Sequence, residues 1–211
     1  MKYQPSRKIE ENSGFSLVET LVAITILLLV IIGPLTISSS SVRSSAFASE
    51  QVTAFFLAQE GAELALKGRD DLLLEYFWLI PSPPGTAPSN PDPWTDFKRI
   101  TSGAQFANCY GAAGCGMYIN TNGSLSSATT CSTIANCQLY LDKNPSVVRS
   151  RYTHNNTVGT TPTPFTRVIK FATVGLNEVS VTSTVTWQSG FSRDQQQVVV
   201  QTSIFNVYGT N

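Results

Sequence analysis

Charge and histidine are scarce in this sequence. Only 13% of its 211 residues are charged, the formal net charge is zero, and there is a single histidine. This balance argues against a strongly basic nucleic-acid binder and against an acidic disordered tail. Hydroxyl and amide side chains are abundant instead, especially after residue 80. A surface of that composition suits a protein that works outside the cytoplasm.

Motifs of catalysis are lacking as well. His154 has no Cys or Ser motif that would pair with it, so we interpret it as a surface loop residue. No glycine-rich phosphate cradle follows a strand. Asp92 and Asp96 lie in or beside a proline-rich stretch, where calcium binding is a weaker alternative. We therefore expect no enzyme activity, no catalytic residue, no cofactor and no metal site.

The cysteines form two evenly spaced pairs. All four lie within 29 residues, and five residues separate the members of each pair: Cys109, Cys115, Cys131 and Cys137. Zinc-finger spacings are missing. We favour the local disulfides Cys109–Cys115 and Cys131–Cys137, each contributing roughly 2–3 kcal/mol. A metal site made of four thiolates and free thiols are the alternatives. Disulfides would require an oxidising compartment.

Residues 15–37 form an apolar segment in which Glu19 is the only charge. As a helix these residues span about 34 Å, enough to cross a hydrocarbon core of about 30 Å. Basic residues of the short leader precede the segment, and only Arg43 follows it closely. The positive-inside rule places the N-terminus in the cytoplasm and the chain after about residue 40 outside. The cysteines then lie in a compartment that permits disulfides.

Two plainer interpretations of this segment compete. One is a cleaved signal peptide with Ala46-Phe47-Ala48 as the cleavage site, but the apolar run is too long and that site lies too far beyond it. The other is a simple signal anchor, which explains neither Glu19 nor the Gly14–Phe15 junction. For Glu19 alone, a carboxylate that snorkels to the membrane interface is the alternative.

The stretch Gly-Phe-Ser-Leu-Val-Glu-Thr-Leu-Val-Ala at residues 14–23 resembles the N-terminal signature of type IV pilins and type II secretion pseudopilins. The resemblance implies that a prepilin peptidase cleaves after Gly14 and N-methylates Phe15. The resemblance is strong over residues 8–37 and moderate to about residue 66. Beyond that residue it concerns only the general architecture of the chain.

The chemistry of these positions fits that resemblance. Glycine at the cleavage site lets the backbone unwind at little cost. Cleavage creates an α-amine on Phe15 with a pKa of about 7.7–8.0, and methylation keeps it basic. A carboxylate in the membrane costs on the order of 2.5–3.5 kcal/mol unless it is paired. Pairing Glu19 with the Phe15 amine of a neighbouring subunit removes both penalties and sets the axial stagger of the packed helices.

The resemblance also implies partners and a location. The partners are other pilin subunits through the N-terminal helix, the prepilin peptidase, an inner-membrane assembly platform, and membrane lipid before assembly. Some pilins bind DNA, but Arg149 and Arg151 beside Tyr152 are too weak a signal for us to expect it. We expect a single-pass membrane protein with a cytoplasmic N-terminus and an extracytoplasmic head, at the cell surface or in the periplasm after assembly.

The helix continues beyond the membrane as an amphipathic segment over residues 38–80. Pro34 should kink it, because proline removes one backbone donor and clashes one turn back. An alanine-rich stripe at helical spacing would pack closely on a sheet. Its members are Phe47, Ala54, Phe55, Ala58, Ala62 and Ala65. Residues 72–78 are either the last helical turns or a short buried segment.

The remainder of the chain reads as loop and strand. Six prolines in residues 81–93 predict an extended loop, with a proline-rich recognition ligand as the alternative. Short candidate strands at 117–119 and 138–141 flank an Asn122-Gly123 turn. A clearer antiparallel meander covers 165–174, 179–187 and 197–208.

These elements predict an α+β fold: a long N-terminal helix, half membrane segment and half amphipathic, packed on a C-terminal antiparallel β-meander. The expected organisation is a leader at 1–14, a transmembrane half at 15–37, an amphipathic half at 38–80, a proline-rich loop at 81–93 and a β-rich head at 94–211. We expect a structural subunit of a type IV pilus-like filament. The bulky head favours a minor pilin; the alternatives are a pseudopilin or a membrane-anchored binding or adhesion domain.

Overall fold

The computed structural model describes residues 14, 16–78, 92–101, 103–143, 150–189 and 194–207, without the side chains of residues 77, 78 and 134. The predicted proline-rich loop therefore lies outside the described residues, except for its last two positions. The chain divides into two compact units, residues 1–46 and residues 47–211. Each unit is considered by itself below.

The first unit is helical from Leu17 onward, and Gly14 and Ser16 precede the helix. Helix α1 begins at Leu17, and the same element is assigned as far as Trp78. It includes one segment near the N-terminus that is long and apolar enough to cross a membrane, and that segment buries none of its residues. Pro34 lies inside α1 without interrupting it. The bend at Pro34 stays a prediction.

The second unit contains the predicted antiparallel meander. Strand β5 (Thr160–Thr173) pairs with β6 (Glu178–Gln188), and β6 pairs with β7 (Gln195–Phe205) in eleven consecutive register pairs. On β6 every second side chain is buried, from Val179 to Trp187, as the period of two predicts. The long apolar helix and this sheet confirm the α+β fold class.

Four shorter strands complete the sheet along the other edge of β5. Strand β3 (Gln138–Asp142) pairs with the first half of β5 and with β4 (Arg151–Thr153). Strand β1 (Cys115–Gly116) pairs with β5 at Ile169 and with β2 (Thr129–Thr130). The predicted strand at 117–119 is wrong: β1 lies just before it, and Ile119 forms only an isolated bridge to Leu125 around the Asn122-Gly123 turn.

The head portion of α1 packs on this sheet through small side chains. Ala54, Ala58, Ala62 and Ala65 are buried as predicted, together with Leu57 and Leu64, which the predicted stripe omitted. Two predicted members are not buried: Phe47 is 37% exposed and Phe55 47%. Phe55 points about 100° away from Ala54 around the helix. Phe47 lies about two turns before Ala54, at the start of the part of the helix that belongs to the head.

Two short helices cover one end of the sheet. Asp92 caps α2 (Pro93–Phe97), and a 3₁₀ turn follows at Ala107–Tyr110. Trp94, Phe97 and Phe106 are buried, whereas Ile100 is 70% exposed. The aromatic rings of Phe97, Phe106 and Phe171 meet with centroids 5.3–6.0 Å apart. A further single-turn helix, α3 (Ile134–Cys137), precedes β3.

The buried side chains form two apolar clusters. The first joins Leu64 and Ala65 of α1 to the aromatic group above and to Val179 and Ile204 of the sheet. The second joins Ala54, Leu57 and Ala58 to a separate set on the sheet, namely Leu139, Phe165, Val185 and Trp187. Helix α1 thus contributes to both clusters, and the head owes its stability to that helix as well as to the sheet.

Candidate processing and assembly site

The predicted cleavage position lies just before the helix. Gly14 is exposed, and a Cβ added there would meet no atom within 4 Å. The first helical turn is closed by a hydrogen bond from Thr20 N to Ser16 O at 3.1 Å. Phe15 itself lies outside the described residues. Gly14 is therefore uncrowded by the rest of the described chain.

Glu19 lies in the first turn of α1. A negative charge there is favoured by the partial positive charge of the helix N-terminus, typically by about 0.3–1 kcal/mol. The side chain is exposed, and within the described residues its carboxylate makes no ion pair and no hydrogen bond. This stabilisation by the helix dipole is smaller than the free energy needed to place the charge beside lipid.

Three threonine hydroxyls of the same segment are already hydrogen-bonded inside the helix. Thr20 Oγ1 donates to Leu17 O at 2.9 Å, Thr25 Oγ1 to Val22 O at 2.8 Å, and Thr36 Oγ1 to Gly33 O at 2.8 Å. Such bonds let Ser and Thr side chains sit in hydrocarbon at little cost. The exposed carboxylate of Glu19, in contrast, has its bonding capacity left for another chain.

Two disulfide bonds are present in the head. Cys109 is bonded to Cys115, with their Cα atoms 4.6 Å apart, and Cys131 to Cys137, with Cα atoms 5.5 Å apart. Strand pairing brings the two bonds side by side, because Cys115 lies opposite Thr130 and Cys131 N donates to Gly114 O at 3.0 Å. Because all four sulfurs are bonded in disulfides, the structure contradicts the two alternatives for these cysteines, a thiolate metal site and free thiols.

The sequence suggested a surface loop residue for His154; it lies in the bend after β4, but its side chain is half-buried. It follows β4 directly, its ring packs against Gly116, and its Nδ1 lies 3.1 Å from Gln138 O. Burial, together with the nearby positive charge of Arg167, lowers the pKa of His154 to about 4. The pairing of β4 with β3 carries the ring under the second disulfide loop, a long-range contact that the sequence pattern does not reveal.

The other charged residues considered from the sequence have structural partners. Asp92 Oδ2 accepts from Thr95 N at 3.3 Å, and Asp96 forms an ion pair with Arg99. Arg151 is bonded to Asp142 at 3.1 Å and to Ile119 O at 2.9 Å, while Arg149 lies outside the described residues. No group of three or more potential metal ligands occurs in the described part of the chain.

Sequence reasoning missed the most deeply buried charge among the described residues. Arg167 is fully buried in β5 and pairs with Glu60 of α1. A signal was present, because Arg167 falls in phase with the buried residues Ile169 and Phe171 along the strand.

Comparison with known proteins addresses the N-terminal segment. Residues 11–33 match a family described as the prokaryotic N-terminal methylation motif. No curated protein and no solved structure gives a significant match to the chain. The matched range contains Gly14, Phe15 and Glu19, and the motif implies processing by a prepilin peptidase and assembly with other pilin subunits. It points to a structural rather than a catalytic protein. The chain therefore carries, at its N-terminus, the signature of type IV pilins and pseudopilins.

Proposed function

We propose that this protein is a minor subunit of a type IV pilus-like filament, matured by cleavage after Gly14 and N-methylation of Phe15. The observation that carries the proposal is the exposed carboxylate of Glu19, placed in the first turn of an apolar helix inside the methylation motif. Such a charge is costly in a membrane unless another group pairs with it.

Processing supplies that group. Cleavage after Gly14 gives Phe15 an α-amine that is largely protonated at neutral pH, and N-methylation keeps it basic. In one isolated helix the new cation and Glu19 both face lipid or its interface. When two helices pack with an axial shift, the amine of one subunit pairs with Glu19 of its neighbour. The pair neutralises both charges in an apolar environment and fixes the stagger between subunits.

The proposed orientation has the N-terminus in the cytoplasm and the head outside. The lysines and arginine of the leader precede the apolar segment, in accord with the positive-inside rule. The two disulfides of the head support the same orientation independently, because structural disulfides persist in oxidising compartments. The apolar part of α1 anchors the subunit in lipid before assembly and then packs among the helices of neighbouring subunits.

The assignment to a minor subunit rests on the head. Two disulfide-stapled loops and the extra strands β1–β4 add to the meander more structure than a repeated building block needs. A type II secretion pseudopilin is the alternative with the same maturation and helix packing. Deletion of the gene distinguishes the two: loss of surface filaments supports the pilus, and retention of secreted proteins in the periplasm supports the secretion system.

Replacement of Glu19 tests the assembly role directly. Glu19→Gln should be cleaved and methylated normally but should be lost from sheared filaments, because the uncharged amide cannot neutralise the Phe15 amine. Glu19→Asp, which keeps the charge on a shorter side chain, should assemble partially. Glu63→Gln, an exposed carboxylate of the head helix, is the matched control and should assemble like the wild type. Normal incorporation of Glu19→Gln would overturn the assembly role while leaving the processing claim intact.

A further inference from the structure

A polar groove lies on the head beside the Cys131–Cys137 disulfide. It has a volume of about 580 Å³, within the range of roughly 300–1,000 Å³ that small-molecule pockets occupy. We refer to it as the polar groove and define it by its main lining residues: Tyr118, Asn120, Ser127, Asn136, His154 and Asn155. A smaller cavity of about 190 Å³ shares Tyr118, Asn120 and Asn155 and extends the groove toward Asp142 and Arg151.

The polar groove is neutral. Among the described residues that line it, only Tyr118 and His154 are titratable. The lowered pKa of His154, about 4, keeps its imidazole uncharged at neutral pH. In the adjoining cavity the charges of Asp142 and Arg151 compensate each other at 3.1 Å. The described walls of the groove therefore hold none of the cations that nucleic-acid backbones require, and they offer no counterion to an acidic or basic ligand.

Amide and hydroxyl groups dominate its walls. An asparagine side chain presents two donors and one acceptor with two lone pairs, and a serine hydroxyl both donates and accepts. The side chain of Asn155 is exposed, and within the described residues no hydrogen bond occupies its amide. The half-buried ring of Tyr118 adds a flat apolar face beside these groups.

The frame that carries these groups is fixed by hydrogen bonds. Tyr118 N donates to Ser126 Oγ at 3.0 Å, and Asn120 Nδ2 donates to Ser124 Oγ at 3.0 Å. Because a carbonyl can only accept, the contact of His154 Nδ1 with Gln138 O places the proton on Nδ1. His154 Nε2 is then an acceptor, and it is buried without a partner among the described residues, a state that buried polar atoms rarely adopt.

We propose that the polar groove binds a neutral sugar residue of an extracellular glycan. The apolar face of the sugar ring would lie on Tyr118, and its hydroxyls would exchange hydrogen bonds with the asparagine amides. Neighbouring hydroxyls each need a donor and an acceptor. Asn136 Nδ2 already donates to Ser132 Oγ and Thr130 O, so Asn136 offers its Oδ1 as an acceptor, while Asn155 and the second N–H of Asn120 offer donors. Binding in vitro is independent of the proposed filament role. Only the presentation of the groove to the cell's surroundings rests on the proposed topology.

The test uses the full chain purified in an amine-oxide detergent, which carries no sugar headgroup. Methyl glycosides of neutral hexoses and of N-acetylhexosamines are titrated one at a time and followed by saturation-transfer difference NMR. At least one should give a saturable signal. Ser127→Trp should fill the groove from its exposed wall, and Asn155→Ala should remove an amide; each should weaken binding about tenfold or more, equivalent to about 1.4 kcal/mol.

Ser203→Trp is the matched control, because Ser203 is exposed on β7, three strands away from β3. The dissociation constant of Ser203→Trp for the same glycoside should lie within about twofold of the wild-type value. Near-ultraviolet circular dichroism confirms that each variant is folded. The proposal is overturned if no neutral glycoside binds saturably, if both groove variants bind like the wild type, or if a sialylated or sulfated glycoside occupies the groove more tightly than every neutral one.

Discussion

The guanidinium of Arg167 in β5 lies 2.7 Å from the carboxylate of Glu60 in α1. Arg167 also donates to Leu57 O at 3.1 Å and to Met117 O at 2.9 Å. Leu57 belongs to one apolar cluster and Met117 to the other. The buried cation thus joins the helix, the sheet and the loop after β1 at the boundary between the two clusters. Because its hydrogen bonds are directional, it fixes where along the sheet the helix docks.

Removing the counterion should be costly. Glu60→Gln should lower the free energy of unfolding of the head by about 3 kcal/mol, because a fully buried guanidinium is left without a compensating charge. Urea unfolding of the full chain in detergent, followed by tryptophan fluorescence, measures this, since Trp94 and Trp187 are both buried in the head.

The exposed carboxylate of Glu63, one turn away, provides the control for that measurement. Glu63→Gln should change the free energy of unfolding by less than about 0.5 kcal/mol. In the double variant Glu60→Gln/Arg167→Met the buried charge is gone, and much of the lost stability should return. Equal, small effects of Glu60→Gln and Glu63→Gln would show that the buried pair does not hold the helix in place.

Gly61 lies where the helix packs tightly on the sheet. A Cβ at this position would overlap Ser183 Oγ and lie 3.1 Å from Arg167 Cδ. Although alanine favours helix by about 1 kcal/mol over glycine, Gly61→Ala should lower the free energy of unfolding by roughly 1–3 kcal/mol through overpacking. Adding Ser183→Ala should restore part of the loss. A stabilising Gly61→Ala would contradict the tight docking.

The sequence predicted the elements whose signal is local. The period of two from Val179 to Trp187 predicted β6 and its buried face, and the spacing of Ala54, Ala58 and Ala62 predicted the docking stripe. The apolar run with Glu19 predicted the membrane-length helix. In each case neighbouring residues in the sequence carry the pattern, so no knowledge of distant contacts was needed.

Contacts between residues that are far apart in the sequence could not be predicted from it. Arg167 and Glu60 are 107 positions apart. The residues next to each of them in the sequence carry no pattern that predicts the ion pair. The burial of His154 depends on β4 pairing with β3 and on the position of the second disulfide loop. The polar groove likewise combines side chains from three separate stretches, represented by Tyr118, Asn136 and Asn155. Only the folded chain brings these groups together.

The two disulfides should respond differently to reductant. Cys109 and Cys115 are both fully buried, whereas Cys131 is partly accessible. A mild thiol reductant should therefore open Cys131–Cys137 first, as shown by alkylation and peptide mapping. Without reductant the denatured protein should contain no free thiol. Four free thiols in the protein as isolated, or faster reduction of Cys109–Cys115, would contradict this arrangement.

Acid should weaken the head through His154. In the unfolded chain its pKa is about 6.5, and burial lowers the pKa of the folded form to about 4. Between these values the unfolded chain binds more protons, so stability falls as the pH falls from about 6.5 to about 4, by at most about 3 kcal/mol. Above pH 6.5 this contribution is constant.

His154→Gln isolates that contribution, because other groups titrate alike in both proteins. Urea unfolding at pH 7 and at pH 4.5 should show a larger loss of stability for the wild type than for His154→Gln. Identical losses in the two proteins would mean that His154 titrates in the folded head as it does in water.

The central claim is that the leader is removed after Gly14 and that the new terminus becomes a methylated cation for Glu19 to pair with. The most direct test is intact-mass and N-terminal peptide mass spectrometry of the mature protein from its native host. The predicted result is a chain that begins at Phe15 and carries one added methyl group on its α-amine. A chain that retains Met1, or one that begins at Ser49 after the Ala46-Phe47-Ala48 site, would contradict the account.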